Sequence, residues 1–408
     1  MLDAVLNRET LSLTTNMVLE WKSVVQDELL WVSRKFSLEL FQFAATKLLV
    51  RVVIVCFTTF EVFQTFLFLQ RFDTYYFIKY LPVYAGMYFI ILSLYSISSI
   101  LKVMSTALDD LHLIKHSNRE TTNRIKMEGL YLNCFMIFTT VAALISGIVH
   151  ALPVEDDENV FFALAILKEY FPHHWGNWLS WLYRSTFVFI SLAMIVPFYA
   201  IIHFASYCRF NFYILLNLFQ DLSSDHETSD PNRLLGSLHY QKQVKKRLIF
   251  CFERLVHIYN IISRVNRELQ IFIILFSVVG VILGVSIVTF FVSFQGSFEH
   301  RYTRLATLIL AGVLVFVHII LAGQMIENLT SRLFEILKVA NWYCWNSENK
   351  KIYLIFLGFM QCDFKIKFSE SISLNYELGV SIARGLYSVA SVMVQLKYVD
   401  YSNHDSTS

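Results

Sequence analysis

Polar side chains follow one face of the last apolar stretch of the chain, residues 378–396. A helix turns by about 100° per residue, so these side chains fall close to one line that runs from Glu377 to Gln395. The helix rises by about 27 Å over that distance, which is nearly the thickness of the hydrocarbon core of a bilayer. A stripe of this kind is typical of a helix that lines a pore. Its residues are Glu377, Ser381, Arg384, Ser388, Ser391, Val392 and Gln395.

A second interpretation of this polar stripe needs no pore. The serines are small enough to pack against a neighbouring helix, and the long side chain of Arg384 can reach the membrane interface by snorkelling. The rest of the helix surface is apolar and suits contact with lipid or with other spans. The stripe alone leaves both interpretations open.

The composition of the chain indicates a multi-span membrane protein. Of 408 residues, 56% are hydrophobic and 16% aromatic, which is too apolar for an ordinary soluble protein. We therefore predict an all-α polytopic fold with seven transmembrane helices, and no cleaved signal peptide because charged residues interrupt the N-terminus. The windows long and apolar enough to cross a bilayer are 48–70, 78–101, 129–151, 183–206, 269–294, 303–325 and 378–396.

Lys and Arg residues are distributed unevenly between alternate loops. With the N-terminus inside, the inner segments hold 25 of the 34 Lys and Arg residues and the outer segments hold four. Positively charged loops tend to stay in the cytoplasm, so we expect a cytoplasmic N-terminus and an external C-terminus. This topology is the reverse of that of a seven-helix G-protein-coupled receptor.

Four further apolar helical stretches lie on the expected cytoplasmic side, at 211–222, 241–270, about 326–339 and 352–360. The one at 352–360 is too short to cross a membrane, so the last segment is split into a short helix and a span. We expect the four to pack as one anchor bundle that joins subunits, with Leu255 and Ile258 in the interface. The expected segments are a cytoplasmic N-terminal segment (1–47), spans 1 to 4 (48–206), a cytoplasmic helical loop (207–268), spans 5 and 6 (269–325), cytoplasmic anchor helices (326–377), a pore-lining span 7 (378–397) and a short extracellular tail (398–408).

Tyrosine and histidine side chains in the outer halves of the spans are candidates for a ligand site. An aromatic ring with a hydroxyl group suits a small molecule that carries one polar group, because the hydroxyl orients what the ring buries. Plain core packing or an interfacial aromatic belt is the alternative for each of them. The candidates are Tyr80, Tyr84 and Tyr88 on one face of span 2, His150 at the end of span 3, and Tyr183 and Phe187 early in span 4.

Two acidic features need a separate explanation. Glu61 lies near the middle of span 1, where a charge costs several kcal/mol unless it is neutralised or paired; we expect it to be protonated or partnered. The run of four acidic residues at 155–158 lies in an outer loop, where it either concentrates cations near a pore mouth or is a solvated loop.

Enzyme, transporter and nucleic-acid functions are poorly supported by the sequence. His112 and His116 are spaced for one metal on a helix face, but the further histidine boxes of a membrane metal enzyme are missing. No internal repeat with Gly- or Pro-broken spans suggests a transporter, and the charges form no patch for nucleic acid. We expect no metal and no cofactor.

Short motifs near the C-terminus form a recognisable pattern. The motifs are Trp342-Tyr343, Glu348-Asn349-Lys350-Lys351, Phe368 with Ser373-Leu374, Leu386-Tyr387-Ser388-Val389 and Val392-Met393-Val394-Gln395-Leu396-Lys397. Together they resemble the C-terminal motifs of the insect odorant receptors, and the final run is similar to the end of the co-receptor subunit that this family shares. Gustatory receptors end in Thr-Tyr, five apolar residues and Gln-Phe, whereas here seven residues separate Tyr387 from Gln395 and a leucine follows.

This resemblance implies a ligand-gated, non-selective cation channel of four subunits around a central pore. It implies that the last helix lines the pore, that Val392 forms a gate and Gln395 a polar ring, and that the odorant binds between spans in the outer half. We therefore interpret the chain as an odour-tuned subunit that binds a small volatile molecule and assembles with the co-receptor in the plasma membrane of a sensory neuron dendrite. A gustatory receptor channel is the alternative. Four inward copies of Arg384 would repel cations, which favours a minority subunit in a heterotetramer.

Overall fold

The computed structural model describes residues 29–70, 74–111, 118–154, 157, 161–224, 231–293, 300–362, 364–367 and 372–405. Within these ranges the chain is almost entirely helical, and the one exception with sheet-like pairing is an isolated bridge between Lys367 and Ser373. The predicted all-α fold class is therefore confirmed.

The helices follow one another along the chain with short connections. An irregular helical segment precedes them, made of Trp31–Ser33, a π-helical turn Arg34–Glu39 and a 3-10 turn Leu40–Gln42. The helices are α1 (Ala44–Gln70), α2 (Thr74–Asp110), α3 (Arg119–Ala151), α4 (Phe162–Tyr170), α5 (His173–Ser224), α6 (Pro231–Gly236), α7 (Leu238–Ser293), α8 (His300–Val339), α9 (Ser347–Phe359) and α10 (Tyr376–Asp405).

Seven of these helices are long and apolar enough to cross a membrane, namely α1, α2, α3, α5, α7, α8 and α10. They correspond to the seven predicted spans. Helices α5 and α7 have 52 and 56 residues, far more than the roughly 20 that a bilayer core requires. The helical stretches predicted at 211–222 and 241–270 are therefore continuations of spans 4 and 5 and not separate elements.

The extensions of α5, α7 and α8 pack with α9 into one bundle beyond the membrane. Aromatic rings hold its centre: the ring of Phe356 lies 5.1 Å from that of Phe219 and 5.4 Å from that of Phe252. The hydroxyl of Tyr353 donates to the carbonyl of Leu337, which is near the end of α8, at 2.9 Å. Helix α9 begins where the side chain of Asn346 accepts a hydrogen bond from the Asn349 N–H, an ordinary N-cap.

The apolar face of α7 is used inside the subunit. Leu255 and Ile258, which we expected at an interface between subunits, are both 0% exposed in the single chain. That prediction is wrong, because the bundle closes on itself and leaves neither side chain available to a second chain.

Candidate ligand site and last helix

Helix α1 contributes a buried face that becomes polar toward its C-terminal end. Val50, Val53, Phe57, Glu61 and Gln64 all lie on this face and are all buried. Their spacing of three and four residues keeps them on one side of a helix. The other side of α1 is apolar and exposed, as a surface against lipid would be.

Three hydroxyl groups meet where α1 packs against α2. The Thr65 hydroxyl lies 2.8 Å from that of Tyr84 and 3.4 Å from that of Tyr88, and the two tyrosine hydroxyls are 3.2 Å apart. The spacing of four residues along α2 brings the two tyrosines together, as predicted from the sequence. The side chain of Tyr80, the third candidate on this face, lies outside the described residues.

A group of aromatic side chains lies where α5 meets α1 and α3. The ring of Tyr183 stacks on Phe57 at 5.6 Å and meets Phe60 edge-on at 5.9 Å. Phe187 lies 5.3 Å from Tyr183 and 6.2 Å from the ring of His150. The structure therefore brings the candidates His150, Tyr183 and Phe187 together.

Helix α1 connects these two groups, and this contribution was not predicted. Phe57, Phe60, Glu61 and Thr65 lie on the same stretch of α1. Phe57 and Phe60 contact the ring of Tyr183, and Thr65 contacts the hydroxyl of Tyr84. One signal in the sequence could have revealed it, since Phe57, Glu61 and Thr65 follow one another at intervals of four residues in a mostly apolar span. We call Phe57, Phe60, Glu61, Thr65, Tyr84, Tyr88, Tyr183 and Phe187 the outer cluster.

A buried ion network lies next to the outer cluster. The carboxylate of Asp157 accepts hydrogen bonds from the guanidinium groups of Arg304, at 2.5 Å, and of Arg184. Arg304 also donates to the carbonyl of Val149 at 3.2 Å. Burial raises the pKa of Asp157, but hydrogen bonds from Arg304, from the Val154 N–H and from Arg184 outweigh it and hold this pKa below its ordinary value of 3.8.

This network corrects part of the interpretation of the acidic loop. Asp157 is buried and paired, so the interpretation as a solvated loop is wrong for this residue. It ties the connection after α3 to α5 and α8. The other three acidic residues of the run lie outside the described residues, as do His112 and His116. Within the described part of the chain no group of three His, Cys, Asp or Glu side chains is placed to hold a metal ion.

The last helix, α10, packs on the subunit with its apolar face alone. Leu378, Ile382, Leu386, Val389 and Met393 are half-buried along one line, and this line faces α7 and α8. The polar stripe lies on the opposite side. Its residues Glu377, Ser381, Arg384, Ser388, Val392 and Gln395 are exposed, and Ser391 is half-buried.

The base of α10 is attached to α8 by specific contacts. Asn375 caps the helix, accepting from the Leu378 N–H at 3.1 Å, and it donates to Glu327 at 3.2 Å. The Tyr376 N–H donates to Gln324 at 3.0 Å. At Gly323 an added Cβ would collide with the main-chain carbonyl of Leu374. Contacts with α8 therefore fix the start of the last helix, whereas the rest of this helix is not enclosed by its own subunit.

Comparison with known proteins gives a clear result for the fold only. No family model and no curated protein matches this sequence. Solved structures do match: this chain is a seven-span helical membrane protein with the fold of the insect olfactory receptors.

Among the matching structures are two of the olfactory receptor OR5 from Machilis hrabei, one of them in complex with eugenol. Their TM-scores are 0.65 and 0.64 at 10% and 11% sequence identity. Each match covers 90% of this chain, and 97% and 96% of the matched chains. The predicted resemblance is thus confirmed at the level of the fold across nearly the whole length.

Proposed function

We propose that this chain is an odorant receptor subunit of a ligand-gated, non-selective cation channel, and that α10 lines the pore. One observation carries the proposal. None of the apolar window of α10 is buried in the subunit, although its exposed side bears charges and hydroxyl groups in a chain built for a membrane. A polar face of that length is costly in lipid, so it needs water or other subunits beside it.

A ring of subunits satisfies this requirement. If each subunit turns its polar stripe inward, the stripe faces a water-filled pore and the apolar line stays against α7 and α8. Val392 and Gln395 then lie near the outer end and supply a hydrophobic constriction and a polar ring, two elements that recur in channels.

The outer cluster is the proposed ligand site. It combines aromatic walls with hydroxyl groups and one carboxyl group, which suits a small volatile molecule with one polar function. The solved structure with eugenol shows that a receptor of this fold binds a small aromatic molecule, and this supports assigning a similar ligand class here. The likeness to olfactory receptors also favours this function over a gustatory receptor channel.

We further propose that the chain works in a heteromer with the family's co-receptor, in the plasma membrane of a sensory neuron dendrite. Arg384 supports the heteromer, because a ring of four arginines would repel permeant cations strongly. One arginine among four subunits, with Glu377 two turns away on the same stripe, is compatible with cation flow.

Whole-cell recording with a panel of volatile molecules tests the proposal. The chain expressed with the co-receptor should give volatile-evoked cation currents, and the chain alone should give little current. The co-receptor alone is the control for currents that do not depend on this chain. If no volatile evokes a current although both subunits reach the cell surface, the proposed function is wrong.

Sidedness needs its own measurement, because it rests on the distribution of Lys and Arg. An epitope after Lys397 should be labelled on intact cells, and one inserted at 223–231 only after permeabilisation. The opposite pattern would place the outer cluster on the cytoplasmic side and remove it as a site for external odorants.

A further inference from the structure

The carboxyl group of Glu61 is buried in the outer cluster, and one of its oxygen atoms has no hydrogen-bond partner within the described part of the chain. Glu61 is 4% exposed, and within the described part of the chain its Oε1 atom has no hydrogen-bond partner. Thr65, one turn away, donates to the backbone carbonyl of Glu61 at 2.7 Å and not to its carboxyl group. Buried polar atoms normally have partners, so the orphaned oxygen calls for an explanation.

The nearby cationic group does not provide that partner. Arg184 follows Tyr183 in the sequence, but its guanidinium donates to Asp157 and to the carbonyl of Leu152. On α1, Glu61 lies instead one turn from Phe57, whose ring stacks on that of Tyr183, and one turn from Thr65, whose hydroxyl lies 2.8 Å from that of Tyr84. An ionised carboxylate without a counter-charge costs several kcal/mol in such a place.

These surroundings suit a small organic cation. The faces of aromatic rings attract a cation that lies over them, and the contacting rings of Phe57, Phe60 and Tyr183 lie on or against the stretch of α1 that carries Glu61. Hydroxyl groups accept hydrogen bonds from the remaining N–H groups of an ammonium ion. The oxygen of Glu61 that has no partner within the described part of the chain can accept a hydrogen bond from an N–H group of an amine, whereas a ketone or an ester has no N–H group to donate.

We propose that Glu61 binds the amino group of a small volatile amine in the outer cluster. This rests on the proposed function and specifies its ligand class. The amine arrives in its neutral, volatile form, and the carboxyl group is neutral before binding. The carboxyl O–H bond then breaks and its proton forms a new N–H bond to the amine, which leaves a carboxylate paired with an ammonium ion. No other reactant is needed, and the net charge of the site does not change.

Two matched sets of ligands test this assignment on the chain expressed with the co-receptor. The sets are benzylamine, benzyl alcohol and toluene, and hexylamine, hexanol and heptane; within each set the shape is similar and the polar group differs. In the wild type at least one amine should open the channel at a concentration about tenfold lower than the alcohol of the same set does. A paired charge in a desolvated site gives an effect of this size. Glu61→Gln should abolish that preference.

Matched variants separate binding from folding. Gln64→Leu changes a buried neighbour on the same face of α1 and should keep the amine preference. A Glu61→Gln channel that still responds to the alcohols is folded, so a loss confined to the amines supports the proposal. If Glu61→Gln fails to reach the surface, Glu61→Asp provides the test, since its carboxyl group is withdrawn by one methylene and should reduce amine potency only.

Three outcomes would overturn the inference. Amines in both sets no more potent than the alcohols would show that the wild-type site has no amine preference. Equal loss of all ligands in a surface-expressed Glu61→Gln channel would show a structural role for the side chain. An amine preference unchanged by Glu61→Gln would show that another group binds the nitrogen. In each of these cases a current evoked by any other volatile molecule leaves the proposed function standing; the proposed function fails only if no volatile molecule opens the channel.

Discussion

Replacing Arg384 by glutamine tests whether the polar stripe of α10 faces the ion pathway. A unit charge about 6 Å from a permeating cation in water raises its energy by about 0.7 kcal/mol, which lowers the rate of passage about threefold. Four such charges in one ring raise it by about 3 kcal/mol, or about a hundredfold. Arg384 is exposed on the face turned away from α7 and α8, so in a heteromer with one copy Arg384→Gln should raise the single-channel conductance up to about threefold.

Single-channel recording in symmetrical sodium solutions at low and high ionic strength measures this effect. The difference between wild type and Arg384→Gln should shrink at high salt, because salt screens exposed charges. Arg384→Lys keeps the charge and is the matched control, with an expected conductance near that of the wild type. A conductance that Arg384→Gln leaves unchanged at low salt, in channels that still respond to volatiles, would show that the arginine faces away from the pathway.

The remaining predictions concern stability. Gly323→Ala should destabilise the base of α10 by about 1–3 kcal/mol through overpacking and reduce surface expression, whereas Gly312→Ala, where a methyl group meets nothing within 4 Å, should not. Asp157→Asn should cost about 3–5 kcal/mol because two buried guanidinium groups lose their partner. The Asp157 pairing should also make thermal unfolding in detergent acid-sensitive. Because the pKa of Asp157 is depressed in the folded chain, the stabilisation is complete above pH 3.8 and is lost as the pH falls through the folded value. If wild type and Asp157→Asn unfold at the same temperature above pH 3.8, this prediction is wrong. Leu255→Asp should prevent folding of the subunit itself, as judged by monodispersity after extraction, while Asn260→Asp on the exposed side should be tolerated.

The spans were predictable because each is a local property of about 20 residues. Hydropathy located all seven, and α6 begins at Pro231, directly after a polar stretch of the sequence at 223–230. The lengths of the helices were less predictable. Nothing between the membrane-spanning part of α5 and its extension breaks the helix, and even Pro197 lies inside it. The tail expected from residue 398 continues as helix to Asp405, since no Gly or Pro follows span 7 to end it.

The candidate site was only partly predictable because its parts come from helices far apart in sequence. Periodicity placed Tyr84 and Tyr88 on one face of α2, and the structure keeps them in contact. No local pattern indicates that Phe57 stacks on Tyr183, a partner 126 positions away. The same limit explains Leu255: an amphipathic face shows that a helix packs against something, but it does not show whether that partner belongs to the same chain.

Helix α7 contacts both α2, which carries part of the proposed ligand site, and α10, the proposed pore helix. On one side, the ring of Phe89, the residue after Tyr88, lies 5.4 Å from Phe276 of α7. On the other side, a methyl group added at Gly284 of α7 would lie 3.1 Å from Leu386 of α10. These two contacts are about two turns apart on one continuous helix. A ligand that moves α2 is therefore expected to act on the helix that supports α10. Because the base of α10 is held at Gly323 and Asn375 while the rest of its span rests on α7 and α8, a shift of α7 is expected to tilt the other end of α10, where Val392 lies, more than its base.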